Sequence, residues 1–185
     1  MKIIYCISLL IGSLCILYIC TAKGKPSVAR VGDAAPSFAL PDETGAIRTL
    51  EEFKGKKIVL YFYPKDSTPG CTKQACSFRD SAPLYAKNNI IVLGINYDSP
   101  QSHAQFKAKH HLPFTLLSDS ATTVAHMYGA YGKIPLVNRY APKRITFLIN
   151  EQGIIINKLE GIDVSTYAQT ILPLFDQNKR WTSHQ

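Results

Sequence analysis

The sequence predicts an α/β layer fold, with one central mixed β-sheet and helices on both of its faces. Three observations carry that expectation. The runs KIVLYFYP (57–64) and NIIVLGINYD (89–98) are apolar at nearly every position and rich in β-branched and aromatic residues, as strands buried on both faces are. Helix-like stretches alternate with them along the chain. Near the end, RITFLIN (144–150) and GIIINKLEG (153–161) are parted only by the turn Glu151-Gln152-Gly153, so they form an antiparallel hairpin and make the sheet mixed.

The elements follow in order. Residues 1–22 carry a single charge, Lys2, and from Ile3 to Ala22 there is none. Twenty helical residues at about 1.5 Å each span about 30 Å, the thickness of a bilayer core. The segment is expected to be a signal peptide or N-terminal membrane anchor. Cys20-Thr21-Ala22 is a poor small-x-small cleavage site, and Tyr18 and Ile19 are too bulky for a lipoprotein signal ending at Cys20. Export, with cleavage or anchoring and a periplasmic or other extracytoplasmic location, is the expectation. A cytoplasmic-facing anchor is the alternative, because Lys23, Lys25 and Arg30 follow the run.

Residues 23–36 read as a linker, 37–178 as one folded domain and 179–185 as a tail. SFALPDETGAIRTL offers two short alternating strands around the turn Asp42–Gly45. Pro69 to about Asn88 reads as a helix, SPQSHAQFKAKHH as a second, FTLLSD as a short strand and SATTVAHMYGAYG as a helix closed by glycine. DVSTYAQTILPLFDQ closes the domain as an amphipathic helix that Pro173 is expected to end early or kink.

A chain of 185 residues suits one domain with a real core. Its 21 basic and 13 acidic residues give a net charge of +8, with basic residues scattered and no run interleaved with aromatics. Nucleic-acid binding is therefore not expected; the charge reads as a solvated basic surface that attracts anions or acidic partners. Of five cysteines, Cys6, Cys15 and Cys20 lie in the apolar leader, and only Cys71 and Cys76 belong to the domain. One pair is too few for a disulfide scaffold, and its spacing fits neither the Cys-x-x-Cys redox motif nor a zinc site. His103, His110, His111 and His126 have no spacing that completes a metal site with the cysteines, and read as surface or capping residues. No metal and no cofactor is expected.

The strand at 57–64 ends at Pro64, and its carboxyl edge is where α/β folds place their ligands. Thr68 is a good N-cap and Pro69 suits the first helical position, which makes Cys71 the third helical residue. Its sulfur then lies near free backbone N–H groups and the positive end of the helix dipole, which favour the thiolate. The Thr68 hydroxyl is close enough to reach whatever the sulfur attacks.

YFYPKDSTPGCT resembles the active-site loop of the peroxiredoxins, and KQACSFRD resembles their bacterioferritin comigratory protein, or peroxiredoxin Q, branch. The family pattern Pro-x-x-x-Thr/Ser-x-x-Cys is matched by Pro64, Thr68 and Cys71, and the branch's second cysteine by Cys76. The family's arginine at the start of a later strand is matched by Arg144 in KRITFLIN, and SDSATTVAHMYGAYG is similar to the segment before it. The resemblance runs from about Val31 to the C-terminal helix. Two features depart from it: Gln74, where many relatives carry Glu, and the segment KIPLVNRYAPK, 133–143.

The resemblance implies a thioredoxin-like fold with an added N-terminal β-hairpin, and a thiol-dependent peroxidase. Cys71 would attack the peroxide and become a sulfenic acid, with Arg144 and the helix-start N–H groups stabilising the developing charge and Pro64 shielding the sulfur from water. Cys76 would resolve the sulfenic acid as a disulfide, and a thioredoxin-like dithiol would reduce it. The resemblance also implies a monomer. Cysteines at i and i+5 of a regular helix have Cα atoms about 8–9 Å apart, whereas a disulfide needs about 4.4–6.8 Å. The helix must therefore unwind for the pair to join. A membrane-tethered thiol–disulfide oxidoreductase is the alternative, but would want Cys-x-x-Cys; a copper-binding protein of this fold would want Cys-x-x-x-Cys and a histidine.

Overall fold

The computed structural model describes residues 28–134, 139–161, 163 and 167–177; the expected signal or anchor (1–22) and tail (179–185) lie outside the described residues. Its strands are β1 (Ala39–Pro41), β2 (Ile47–Thr49), β3 (Lys57–Phe62), β4 (Ile90–Asn96), β5 (Thr115–Ser118), β6 (Tyr131–Ile134), β7 (Arg139–Pro142), β8 (Ile145–Ile149) and β9 (Ile155–Glu160). Its helices are α1 (Pro69–Asp80), α2 (Ala82–Lys87), α3 (Pro100–His110), α4 (Thr123–Met127) and α5 (Tyr167–Gln177), with a 3-10 turn at Leu50–Phe53.

β3 is buried at every position and stands in the middle of a five-stranded sheet ordered β5-β4-β3-β8-β9. It pairs parallel with β4 and antiparallel with β8. Because side chains alternate along a strand, its residues divide between two cores. Ile58, Leu60 and Phe62 join Phe38, Phe53, Leu93, Val124, Tyr128 and Phe147 on one face. Val59, Tyr61 and Tyr63 join Phe78, Tyr85, Phe106, Leu148, Ile171 and Phe175 on the other. The second face thus takes residues of α1, α2, α3 and α5, and the first takes α4, the 3-10 turn and the β1–β2 hairpin. The expected mixed sheet with helices on both faces is present, and so is the added hairpin.

Three features differ from the sequence reading. The helix expected from Pro69 to Asn88 is two, broken at Ser81. Pro83 explains the break, since its ring would collide with the carbonyl four residues earlier in a continuous helix. α5 runs through Pro173, which lies on the solvent side while Ile171 and Phe175 face the core. Segment 133–143 contributes most of a β6–β7 ribbon, with Tyr131 and Tyr140 stacked at 6.4 Å.

The described part of the expected linker does not hang free: Ala29 is buried, and the amides of Gly32 and Ala35 donate to the carbonyls of Ile155 and Gly153. Ile155 N returns a bond to Asp33 O, and Ala34 bridges Ile154, so this segment lies along the start of β9. The hairpin does the same for β5. Asp42 bridges Leu117, and the Glu43 carboxylate accepts from Leu116 N at 3.1 Å and pairs with Lys107.

Candidate active site

The chain leaves β3 at Phe62 and enters α1 at Pro69, at the carboxyl edge of the parallel strands. Thr68 is the extended N-cap residue and Pro69 the first helical residue, which puts Cys71 in the first turn, as the spacing predicts. The Thr68 side chain does not cap the helix. Its hydroxyl donates to Lys65 O at 3.1 Å, while its carbonyl accepts from Thr72 N at 2.8 Å. The amides of Gly70 and Cys71 are left at the open end of the helix. Pro64 is half-buried just past the end of β3.

The Cys71 thiol is 2% exposed. Arg144 reaches it because it directly precedes β8, whose Ile145 pairs with Phe62 at the end of β3. One guanidinium nitrogen, Nη2, lies 3.4 Å from the Cys71 sulfur, and the other, Nη1, donates to Gln74 Oε1. Gly70 permits this approach: a Cβ there would lie 3.2 Å from Arg144 Nη2. Gln74 is fully buried, and its oxygen must be the atom facing Arg144, since a guanidinium only donates. Its Nε2 has no partner among the described residues.

The fold therefore joins Cys71, Arg144 and Gln74 in direct contact and sets Pro64 and Thr68 on the adjoining loop. The Thr68 hydroxyl engages Lys65. Cys76 is half-buried further along the unbroken α1, and both thiols are free.

Beneath the site lies a polar network that the sequence reading missed. The Asp66 carboxylate, within the same loop, is 6% exposed. Its Oδ1 accepts from Tyr63 Oη at 2.8 Å and Asn96 Nδ2 at 3.1 Å, and its Oδ2 from Ser102 Oγ at 2.7 Å. His103 Nδ1 lies 2.9 Å from Oδ2. Burial pushes the Asp66 carboxyl up, but the hydrogen bond and charge of His103, with bonds from Ser102 and Tyr63, together hold it below the usual carboxylate range. Burial foremost, with the charges of Cys71 and Asp66 among the further causes, drives the Tyr61 and Tyr63 hydroxyls well above the usual tyrosine range.

His103 corrects an expectation: it is wholly buried rather than a surface or capping residue. The available signal was its position three residues before Phe106, on the apolar face of α3. Among the described residues, no group of three or more His, Cys, Asp or Glu is placed to hold a metal ion, and no helix is long and apolar enough to cross a membrane.

Residues 31–158 match the AhpC/TSA family. The putative peroxiredoxin bcp of Coxiella burnetii is 50% identical over 130 residues, covering 68% of this chain and 84% of that protein. Peroxiredoxin Bcp of Bacillus subtilis is 38% identical over 153 residues, covering 81% and 98%. Among solved structures, a cysteine-to-serine mutant of Xylella fastidiosa PrxQ superposes with a TM-score of 0.76 at 28% identity, covering 83% of this chain and 99% of that one. The bacterioferritin comigratory protein of Xanthomonas campestris, described for its alkyl peroxide reduction activity, superposes with a TM-score of 0.73 at 28% identity, covering 82% and 98%.

Proposed function

The chain belongs to the AhpC/TSA family and is a thiol-dependent peroxidase of the Bcp/PrxQ kind, and on that premise we propose that Cys71 is its attacking thiol and Cys76 its resolving thiol. One observation carries the assignment: the Cys71 sulfur lies in the first turn of α1, 3.4 Å from the Arg144 guanidinium. The thiolate attacks the distal oxygen of hydrogen peroxide or an organic hydroperoxide. A sulfur–oxygen bond forms, the O–O bond breaks, and the remaining oxygen leaves as water or alcohol after taking a proton. The sulfur loses two electrons and the peroxide gains them. Arg144 and the open amides of α1 stabilise the charge on the leaving oxygen, while Pro64 and the Thr68 segment wall the sulfur from water.

Cys76 then attacks the sulfenic sulfur. The S–S bond forms, and hydroxide leaves as water with a proton. α1 must unwind over its first turns for this step. A thioredoxin-like dithiol reduces the disulfide and restores the helix. Both thiols belong to one helix, so the cycle needs no second copy and the enzyme works as a monomer. The leader, uncharged from Ile3 to Ala22, supports an extracytoplasmic setting, where the reductant would be an extracytoplasmic dithiol.

The test is peroxide consumption with a dithiol reductant. Cys71→Ser abolishes turnover, and Cys76→Ser keeps one rapid oxidation but loses recycling by thioredoxin. Wild-type turnover in both variants would sink the assignment. Insulin reduction without peroxide consumption would instead favour a thiol–disulfide oxidoreductase, a reading to which the related peroxiredoxins lend no support.

A further inference from the structure

We propose that Asp66 and His103 are positioning residues of this reaction: a buried clamp that fixes the Pro64–Thr68 loop and thereby sets the aim of Cys71. The inference rests on the peroxidase reading and adds two residues to its machinery.

The loop is held at one residue from two directions. The Asp66 amide donates to Asp98 Oδ2 at 2.7 Å, and its carboxylate takes the four contacts with Tyr63, Asn96, Ser102 and His103. An ionised carboxylate offers about four acceptor sites, so the set is full. The partners come from three places. Tyr63 follows β3, Asn96 ends β4, and Ser102 and His103 lie in the first turns of α3. Asn96 Nδ2 also donates to Asp98 Oδ2 at 3.1 Å, Asp98 N donates back to Asn96 Oδ1 at 2.5 Å, and Ser118 Oγ binds Asp98 O at 2.6 Å. The carboxyl ends of β3 and β4 and the first turns of α3 thus converge on a single loop residue, and the end of β5 joins them through Asp98.

The next residue shows why so much hold is needed. Ser67 has φ 57°, in the left-handed region that a residue with a side chain rarely adopts. Such a conformation persists when its surroundings over-determine it, and here Asp66 does so. One residue later Thr68 opens α1, and Cys71 follows within its first turn. Any relaxation at Ser67 would swing the start of α1, and with it the sulfur, relative to Arg144, which hangs from β8.

His103 is wholly buried, and its Nε2 has no partner among the described residues. Since the Asp66 carboxylate accepts, His103 must carry a hydrogen on Nδ1. The part of the ring that holds the loop in place is that one donor. Asparagine, whose Nδ2 comes close to the same place, should therefore replace it, whereas leucine should not.

The experiment uses the full chain and compares wild type, His103→Leu, His103→Asn and Ser102→Ala well below each melting temperature. It reads kcat/KM for peroxide, and amide exchange across 65–72. His103→Leu lowers kcat/KM by about tenfold or more, the scale of a sub-ångström misplacement, and speeds exchange at the Asp66 amide. His103→Asn returns both to within about threefold of wild type, because the donor is restored. If His103→Leu does not fold, Ser102→Ala removes a half-buried donor and gives the same pattern more weakly. Equal losses in the leucine and asparagine variants, or an unchanged kcat/KM in a folded His103→Leu (Ser102→Ala in its place), would overturn the clamp. Failure of the peroxidase reading shows elsewhere, as wild type without Cys71-dependent peroxide consumption.

Discussion

Arg144 places its two terminal nitrogens on two residues of one helix turn, Cys71 and Gln74. A lysine keeps the charge but cannot fork, so Arg144→Lys should lower kcat/KM for peroxide by about 10²-fold, the usual penalty for a lost transition-state donor. Steady-state kinetics at fixed reductant check this. Gly70 offers a finer test. A methyl there crowds Nη2 at 3.2 Å, so Gly70→Ala should reduce activity several-fold. The same change favours the helix by up to about 1 kcal/mol, so thermal stability should hold or rise while turnover falls. At this scale the meeting of Cys71 with Arg144 was legible, because a spacing motif names residue types at set intervals. Gln74 was visible only as a departure, and the structure gives it an occupation as the neutral acceptor behind Arg144. His103 was misjudged, since periodicity gives the face on which a residue lies but not the partner it meets there.

In the proposed cycle α1 has two tasks that cannot be performed at once. Intact, it holds Cys71 at its open end; unwound, it would let Cys76 arrive. After one equivalent of peroxide, amides from Gly70 to Cys76 should lose protection against hydrogen exchange in wild type and keep it in Cys76→Ser, where no disulfide can trap the opened form. Behind α1 lies close aromatic packing: Tyr61 meets Phe78 in a tilted contact with ring centroids 4.8 Å apart and stacks on Tyr63 at 5.2 Å. Gly94 in β4 makes room for this stack, since a Cβ there would sit 2.7 Å from the Tyr61 ring and 2.8 Å from Leu116. Gly94→Ala should destabilise by about 1–3 kcal/mol through overpacking, read from urea midpoints. The long strands and helices were legible because their periods are strong. The break at Ser81 has one mark in the sequence, Pro83, which periodicity does not register. β6 and β7 escaped because the segment from Lys133 to Lys143 lacks the alternation that marks a strand.

For the molecule as a whole, the acid limb of stability should carry the mark of Asp66. Its folded pKa lies below the ordinary 3.8, so its contribution is present above that value and is lost as pH falls through the folded one. Asp119, whose carboxylate accepts from Val124 and Ala125 amides, runs the other way. Burial raises its pKa, so its ionisation opposes folding as pH climbs past 3.8. Asp66→Asn should cost about 3 kcal/mol near neutrality, because it leaves buried partners of a charge unmatched. The gap from wild type should close as pH drops below about 4, a comparison made by urea unfolding across the acid range. The architecture was legible from the order of strands and helices. Which loop residues meet at the strand ends was not, because Asp66, Asn96 and His103 are brought together only by the fold.

The first stretch of the described chain guards both margins of the sheet, residues 32–35 along β9 and residues 42–43 along β5. Open margins present unpaired amides and carbonyls, to which a stranger's extended chain can add itself. A variant trimmed to begin at Phe38 would bare one of them, and it should cluster in concentrated solution where the longer chain stays dispersed.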